Sequence, residues 1–401
     1  MGKRITDSVT WVGKVDWELK EFHGHEYSVR RGTSYNSYLV KDEKVALIDT
    51  VWAPFAKEFV RSLSNEIELK KIDYVIAQHG EIDHSGALSE LMRQIPDKPV
   101  YCTQNAIRSL KGQFHCDWNF VPVKTGDVLE LGAKKLIFVE APMLHWPDSM
   151  FTYLTGENIL FPNDAFGQHY ATELLYNDLV DENELYTEAI KYYANILTPF
   201  SPLVTKKINE VLGFSLPVDL ICPSHGVIWR DDPTQIVKKY LEWASQYKEN
   251  RILIVYDSMW NGTRLMAESI AKGIVEQDKS VTVKLMNAAI EDKNDIMTDV
   301  FRAKLVLLGS PTVNNGYLHS IGGLLEMMKG LKFKAKKAAA FGSYGWSGEA
   351  VAQLSNGLKG AGFEVLNDGL RLTWMPDSDG IAKCMEFGRA IAEQTADDLK
   401  I

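Results

Sequence analysis

A chain of 401 residues is long for a single core and predicts two or three domains. Its composition, 45% hydrophobic and 24% charged with a formal net charge of −9, is that of an ordinary globular protein and speaks against nucleic acid as a main partner, because phosphate neutralisation needs a basic face. No apolar run approaches bilayer length, no apolar segment follows the start Met1-Gly2-Lys3-Arg4, and Cys102, Cys116, Cys222 and Cys384 form no Cys-x-x-Cys pair; the expectation is a cytoplasmic chain with reduced thiols, no membrane association and no iron–sulfur or rubredoxin-like centre within it.

In chain order, the first half reads as short apolar strands and turns with helices between them. Strand-like runs cover 37–40, 45–49 and 136–139, and apolar positions recur every three or four residues over 87–93 and 182–196, which predicts helices. The polar stretch Gln246-Tyr247-Lys248-Glu249-Asn250-Arg251 then precedes a regular alternation, so the domain boundary is placed there, giving 1–248 and 249–401. Beyond it, strand 252–256 leads to helix 263–277, strand 281–285 to helix 292–301, and strands 305–309 and 338–342 precede a helix over 349–359. Continuous apolar strands alternating with amphipathic helices predict a doubly wound parallel sheet covered on both faces.

Within the first half, His79-Gly80-Glu81-Ile82-Asp83-His84 packs four potential metal ligands into six residues, directly after the apolar run 72–77. His145, Asp164 and His225 follow the runs 136–140, 159–161 and 220–222 in the same way. Loops at strand ends are where α/β folds place their chemistry. A lone histidine in such a place is more often a packed or surface residue, but seven donors in one repeated setting point to a two-metal site. Four histidines, Asp83, Asp164 and Glu81, with no thiolate, form a nitrogen–oxygen set that suits a zinc pair or a non-haem iron pair, one shared carboxylate letting seven side chains serve two metals.

The second half carries a different kind of loop. Ser258, Met259, Trp260, Asn261, Gly262 and Thr263 lie between the first strand and its helix, and free amides at a helix start hold anions. There is no lysine and no G-x-G-x-x-G fingerprint, which fits a single terminal phosphate such as that of flavin mononucleotide (FMN). Pro311, Thr312, Val313, Asn314 and Asn315, and then Ser343, Tyr344, Gly345, Trp346, Ser347 and Gly348, follow two further parallel strands and point to the same sheet edge. Ser, Thr, Asn and Gly are also ordinary caps and turn residues, so one such loop means little; three on one edge, with Trp260, Tyr344 and Trp346 at their tips, suit a flat isoalloxazine ring.

Taken together, H-x-E-x-D-H at 79–84, Leu144-His145-Trp146-Pro147-Asp148, Asn163-Asp164-Ala165-Phe166-Gly167-Gln168, Ser224-His225-Gly226, Tyr256-Asp257-Ser258-Met259-Trp260 and Gly309-Ser310-Pro311-Thr312 make the sequence resemble the flavodiiron proteins over essentially its full length. The resemblance implies an N-terminal metallo-β-lactamase-like αββα sandwich followed by a flavodoxin-like doubly wound parallel sheet. It implies two iron ions and FMN as cofactors, with reduction of nitric oxide to nitrous oxide, of dioxygen to water, or both. Carried over, His79, Glu81 and His145 hold one iron, Asp83, His84 and His225 the other, and Asp164 bridges them. His84 directly follows Asp83, so the backbone must turn both side chains onto one metal. His23 and Tyr193 match positions near the substrate pocket. A head-to-tail homodimer, or a tetramer, is implied, with Glu81 and Trp146 of one subunit near the flavin of the other. Around 36–39 and 192–205 the chain resembles the core of the flavorubredoxins, yet no rubredoxin domain follows Ile401; either a separate rubredoxin or another carrier supplies electrons, or the chain is a shortened core. The rival readings are a dinuclear zinc hydrolase of the same fold with an appended flavodoxin module, against which stands Glu81 where those hydrolases carry histidine, and a flavin electron carrier with a merely structural metal domain.

Overall fold

Alternation along the central strands sets the first half of the molecule. In the strands Tyr38–Lys41 and Val45–Ile48, Tyr38, Val40, Ala46 and Ile48 turn to one face and Leu39 and Leu47 to the other. Successive side chains of a strand point to opposite faces, so a strand buried on both sides needs apolar residues at every position. The computed structural model describes residues 2–396. In it these strands belong to a seven-stranded sheet with the order Lys3–Arg4, Val9–Trp11, Tyr38–Lys41, Val45–Ile48, Tyr74–Ile76, Val100–Thr103, Phe120–Val123. A five-stranded sheet lies against it, ordered Val128–Glu130, Lys135–Glu140, Met150–Leu154, Ile159–Phe161, Leu220–Ile221.

Between the sheets, Tyr38, Val40, Ile48 and Ile76 meet Leu136, Phe138, Met150 and Phe161. On the other face of the larger sheet, Leu39, Leu47, Val75 and Cys102 meet helices through Phe59 and Leu63 of Ala56–Glu66, Leu88 and Leu91 of Leu88–Gln94, and Ala106 and Leu110 of Gln104–Phe114. The last of these helices starts where Thr103 accepts the Ala106 N–H at 3.1 Å, a side-chain cap on an otherwise unpaired donor.

The described chain forms two compact units. One runs to Tyr192 and resumes over Phe200–Leu241; the other takes Tyr193–Pro199 and everything from Glu242. The helical periodicity read through 196 therefore divides: the α-helix Glu182–Tyr192 ends and a π-helical turn, Tyr193–Leu197, follows. In the second unit Tyr193 packs against Trp243 and Phe301, and Asn195 donates to the Asn294 carbonyl and to Thr298.

The second unit is a parallel sheet ordered Thr282–Asn287, Glu249–Tyr256, Ala303–Gly309, Lys337–Tyr344, Glu364–Val365, with Leu370–Thr373 also pairing with Lys337–Tyr344. Strand order reverses beside Glu249–Tyr256, and ligands of open parallel sheets bind at that reversal, outside the carboxyl ends of the strands. The helices Gly262–Gln277 and Ser378–Gln394 cover one face together. A Cβ on Gly388 would fall 2.2 Å from the Ile270 carbonyl oxygen, so the two backbones approach only because glycine stands there.

Candidate active site

The strand ends of the first unit converge. His79 lies three residues beyond Tyr74–Ile76, Asp164 three beyond Ile159–Phe161, and His225 four beyond Leu220–Ile221, while His145 sits in the loop between Lys135–Glu140 and Met150–Leu154. Asp83 and His84 stand on a one-turn helix, Ile82–Ser85, and not on an open loop. That turn is what brings two adjacent side chains into one group: Asp83 Oδ2 lies 3.2 Å from His84 Nε2 and 3.0 Å from His225 Nε2.

Donor atoms fall into two sets, His79, Glu81, His145 and Asp164 in one and Asp83, His84 and His225 in the other; within each, one atom per residue lies within 4.8 Å of all the rest. Asp164 faces both. Its Oδ2 lies 3.7 Å from His79 Nε2 and 3.4 Å from His145 Nε2, and its Oδ1 lies 2.9 Å from His84 Nε2 and 3.5 Å from His225 Nε2. All four histidines thus present Nε2 inward.

Charge and burial test whether cations fit. Both oxygens of Asp83 and Asp164, and both ring nitrogens of His84, are buried with no hydrogen-bond partner. Their close approaches lack hydrogen-bond geometry, as expected of atoms aimed at a shared centre. A buried carboxylate without a partner costs several kcal/mol, roughly, and a cation removes that cost. Burial by itself would lower His84 and His145, yet the carboxylates beside them, Asp164 with Asp83 for one and Asp164 with Glu81 for the other, push each up to about 9. Asp164 moves the opposite way: burial would raise it, and His84 and His145 hold it well below the usual carboxylate range. A nitrogen–oxygen donor set with this demand for positive charge fits two divalent ions.

Second partners fix the rings. His79 Nδ1 donates to Asp148 Oδ1 at 2.8 Å and His225 Nδ1 to the Ser34 carbonyl at 2.7 Å, so in both the free Nε2 faces the cluster. Asp49, missed in the sequence, ties three of the ligand loops together. It accepts from Gln78 through its amide N–H at 2.8 Å and its side chain at 3.1 Å, and from Asn163 at 3.4 Å, while Asn163 also donates to Ser224 at 3.1 Å. Gln78, Asn163 and Ser224 each immediately precede a donor, His79, Asp164 and His225. The sequence signal was present in Val45–Ile48, a strand ending at a buried carboxylate.

The residues expected around the donors divide. His23 Nε2 hydrogen-bonds Glu81 Oε1 at 2.7 Å, leaving Oε2 toward His79 and His145. Trp146 lies edge-on to His79, ring centres 5.0 Å apart. Tyr193 is a correction: its ring is turned into the second unit against Trp243 and Phe301. The adjacent Tyr192 is the tyrosine beside the cluster, 5.3 Å from the His169 ring and 6.4 Å from His225, because the helix register changes at that point. His169, also missed, packs 4.9 Å from His225 and bonds Thr33 through Nδ1 at 2.9 Å.

In the second unit a cavity of ≈ 730 Å3 opens at the carboxyl edge of the sheet, of a size usual for a bound cofactor. Ser258, Met259, Trp260, Gly262, Pro311, Thr312, Val313, Asn314, Asn315, Ser343, Tyr344, Gly345, Trp346 and Ser347 line it, as the three-loop reading expects. Asn261, Thr263 and Gly348 are not on the wall. Asn261 takes a left-handed conformation before Gly262–Gln277, Thr263 is buried and shares a hydrogen bond of 3.0 Å with Ser343, and Gly348 packs under the Tyr344 ring. Trp374 and Met375 complete the wall and escaped the sequence reading, since they follow the short strand Leu370–Thr373, which has no long apolar run. The Ser258 hydroxyl is buried without a partner, an open donor at the phosphate-type loop.

A paired donor set in a β-lactamase-like sandwich, on one chain with a flavodoxin-like unit and its open aromatic cavity, defines a class: redox proteins with a metal module and a flavin module. The ODP family of beta lactamases matches residues 33–226 and the flavodoxin family matches residues 254–388. The anaerobic nitric oxide reductase flavorubredoxin of Escherichia coli K12 is 58% identical over 98% of this chain and 82% of its own. Among solved structures, the rubredoxin oxygen:oxidoreductase of Desulfovibrio gigas superposes with a TM-score of 0.96 at 37% identity, covering 100% of both chains. The flavodiiron protein of Giardia intestinalis does so with 0.93 at 30%, covering 99% of this chain and 97% of its own. The chain belongs to the flavodiiron protein family, beside the flavorubredoxins.

Proposed function

We propose that the protein is an FMN- and di-iron-dependent oxidoreductase that reduces nitric oxide to nitrous oxide, dioxygen to water, or both. The observation that carries the reading is Asp164, one buried carboxylate with an oxygen turned to each of two donor groups. His79, Glu81 and His145 would hold one iron, Asp83, His84 and His225 the other, and Asp164, with an oxygen toward each group, would serve both. When bound, the iron pair supplies two adjacent redox-active positions for small gaseous ligands, and the flavin supplies electrons one or two at a time.

The chain's own residues shape what happens there. Aromatic rings of Phe22, Tyr35 and Tyr192 pack around the His225 side and keep it dry. His23, with a third of its side chain exposed, is a partly open group against the cluster and marks Glu81 and His145 as the side from which a small molecule arrives. It also holds a hydrogen bond on Glu81 Oε1, fixing the carboxylate. Tyr192 remains a neutral phenol, because burial and then the nearby Asp164 raise it well above its ordinary value.

The division into a metal domain and a flavin domain, set by the sequence at 1–248 and 249–401, belongs to this reading, with 193–199 and 242–248 going by their contacts to the flavin side. So do a separate rubredoxin or similar carrier as electron donor, a head-to-tail homodimer with Glu81 and Trp146 of one subunit near the flavin of the other, and a cytoplasmic location. A partner docking at the flavin cavity is supported by the exposed rings of Trp260 and Trp346 at its mouth, 84% and 86% accessible in the single chain. Among the described residues no helix is long and apolar enough to cross a membrane.

The deciding experiment is anaerobic. Protein shown to hold iron and FMN is supplied with reduced rubredoxin and nitric oxide, and nitrous oxide is followed by gas chromatography. Many turnovers establish the nitric oxide activity. Absence of nitrous oxide, with brisk dioxygen consumption in a parallel assay under air, assigns dioxygen as the substrate, and zinc in place of iron with neither activity overturns the reading.

A further inference from the structure

Seen through their ligands, the two metal positions are alike: each has two histidines and one carboxylate of its own, and each shares Asp164. The next layer is not alike. Behind His79 stands a carboxylate, Asp148, fully buried and 2.8 Å from Nδ1. Behind His225 stands a neutral carbonyl, that of Ser34. Behind His84 Nδ1 there is no hydrogen-bond partner.

The position of Asp148 is prepared from several directions. Its Oδ2 accepts the Gly80 N–H at 3.1 Å, and its carbonyl accepts from Thr103 at 2.9 Å. A Cβ on Gly80 would come 2.7 Å from Asp148 Oδ2, so the glycine inside the ligand motif is the opening through which this carboxylate reaches the ring.

Building on the function proposed above, we propose that Asp148 is a positioning residue that makes His79 the strongest histidine donor of the set, so that of the two irons the one on His79, Glu81 and His145 is oxidised first. A full negative charge on Nδ1–H pushes electron density to Nε2, and a richer donor favours the higher oxidation state. One contact acts in the opposite sense: His23 draws charge from Glu81 Oε1. That is one hydrogen bond from a ring with 34% of its side chain exposed, whereas Asp148 brings a whole charge into a site closed to water, where it is screened least.

The test is a redox titration of the holoenzyme, followed by electron paramagnetic resonance of the one-electron-oxidised iron pair and by Mössbauer spectroscopy of 57Fe-loaded protein. Iron content and nitric oxide or dioxygen turnover are measured on the wild type, so failure of the functional reading shows separately. In Asp148→Asn holding two irons, the potential of the first oxidation rises and the ferric spectrum changes. In Thr103→Val, which frees the Asp148 carbonyl and leaves its carboxylate in place, the potential stays at the wild-type value. A shift in the first variant without one in the second is not produced by loosened packing. An unchanged or lowered potential in Asp148→Asn, or an equal rise in Thr103→Val, overturns the proposal. If Asp148→Asn does not hold two irons, Asp148→Ser, equally neutral, decides alone: a rise supports it, and no change or a fall sinks it.

Discussion

The two units build their sites from opposite materials. In the first, the site is made of side chains that are almost wholly buried, each held by a further hydrogen bond or aimed at a common centre. In the second, the site is an open cavity between loop tips, with Trp260, Trp346 and Trp374 largely exposed around it. A small cation asks for a few charged donors at fixed distances, and only rigid, desolvated surroundings supply that. A flat cofactor asks for shape and many weak contacts, which mobile loops on a rigid sheet supply. The difference predicts that damage to one site leaves the other loaded.

The sharpest break is Asp164→Asn. It removes the one carboxylate both donor groups share, so both metals are expected to leave and turnover to fall more than about a hundredfold, the scale already reached when outer partners of ligands are lost. Metal analysis beside the flavin absorbance checks it; loss of flavin as well would contradict the separation. Next comes Asp49→Ala, which leaves the Gln78 and Asn163 donors unpaired beneath three ligand loops. It is expected to destabilise the first unit by roughly 3–5 kcal/mol and lower its metal content, read by calorimetry with the second transition unmoved.

On the flavin side the effects are smaller. Trp374→Ala removes one exposed wall and is expected to raise the FMN dissociation constant roughly tenfold, about 1.4 kcal/mol, with iron content unchanged. Thr263→Val breaks the hydrogen bond to Ser343 behind the wall and is expected to raise the same constant by a few-fold, about 1 kcal/mol. Fluorescence titration of flavin-free protein measures both.

A last effect, read through pH alone, concerns Lys336, whose ammonium is buried against the carbonyls of Tyr247 and Phe301. Burial first, and then the nearby Lys248, bring it down from 10.5 to about 7. Between those values the unfolded chain binds more protons than the folded one, so stability of the second unit rises with pH across that window, and the penalty is complete below about 7. Lys336→Met is expected to flatten this slope in denaturant midpoints taken between pH 7 and about 9.5.

The same contrast explains what the sequence disclosed. Metal donors come from few residue types, and seven of them after strand-like runs stood out. What surrounds them did not: Asp49 and Asp148 look like any acidic residue until the chain is folded, because their partners are 29 and 69 residues away along it. Tyr192 and Tyr193 could not be told apart by periodicity, since the helix changes pitch between them. The three flavin loops were legible from their place after parallel strands. Trp374 and Met375 were not, because they follow an edge strand whose burial alternates weakly.

The segment Tyr193–Pro199 limits how the two modules can be exchanged. It is encoded inside the metal half and folds with the flavin half, so the chain changes unit three times rather than once. A recombination or gene fusion that exchanges the flavin module at one cut near residue 245 separates Asn294 and Phe301 from the Tyr193 and Asn195 that complete them. An exchange that keeps these contacts must therefore carry 193–199 along with the flavin module.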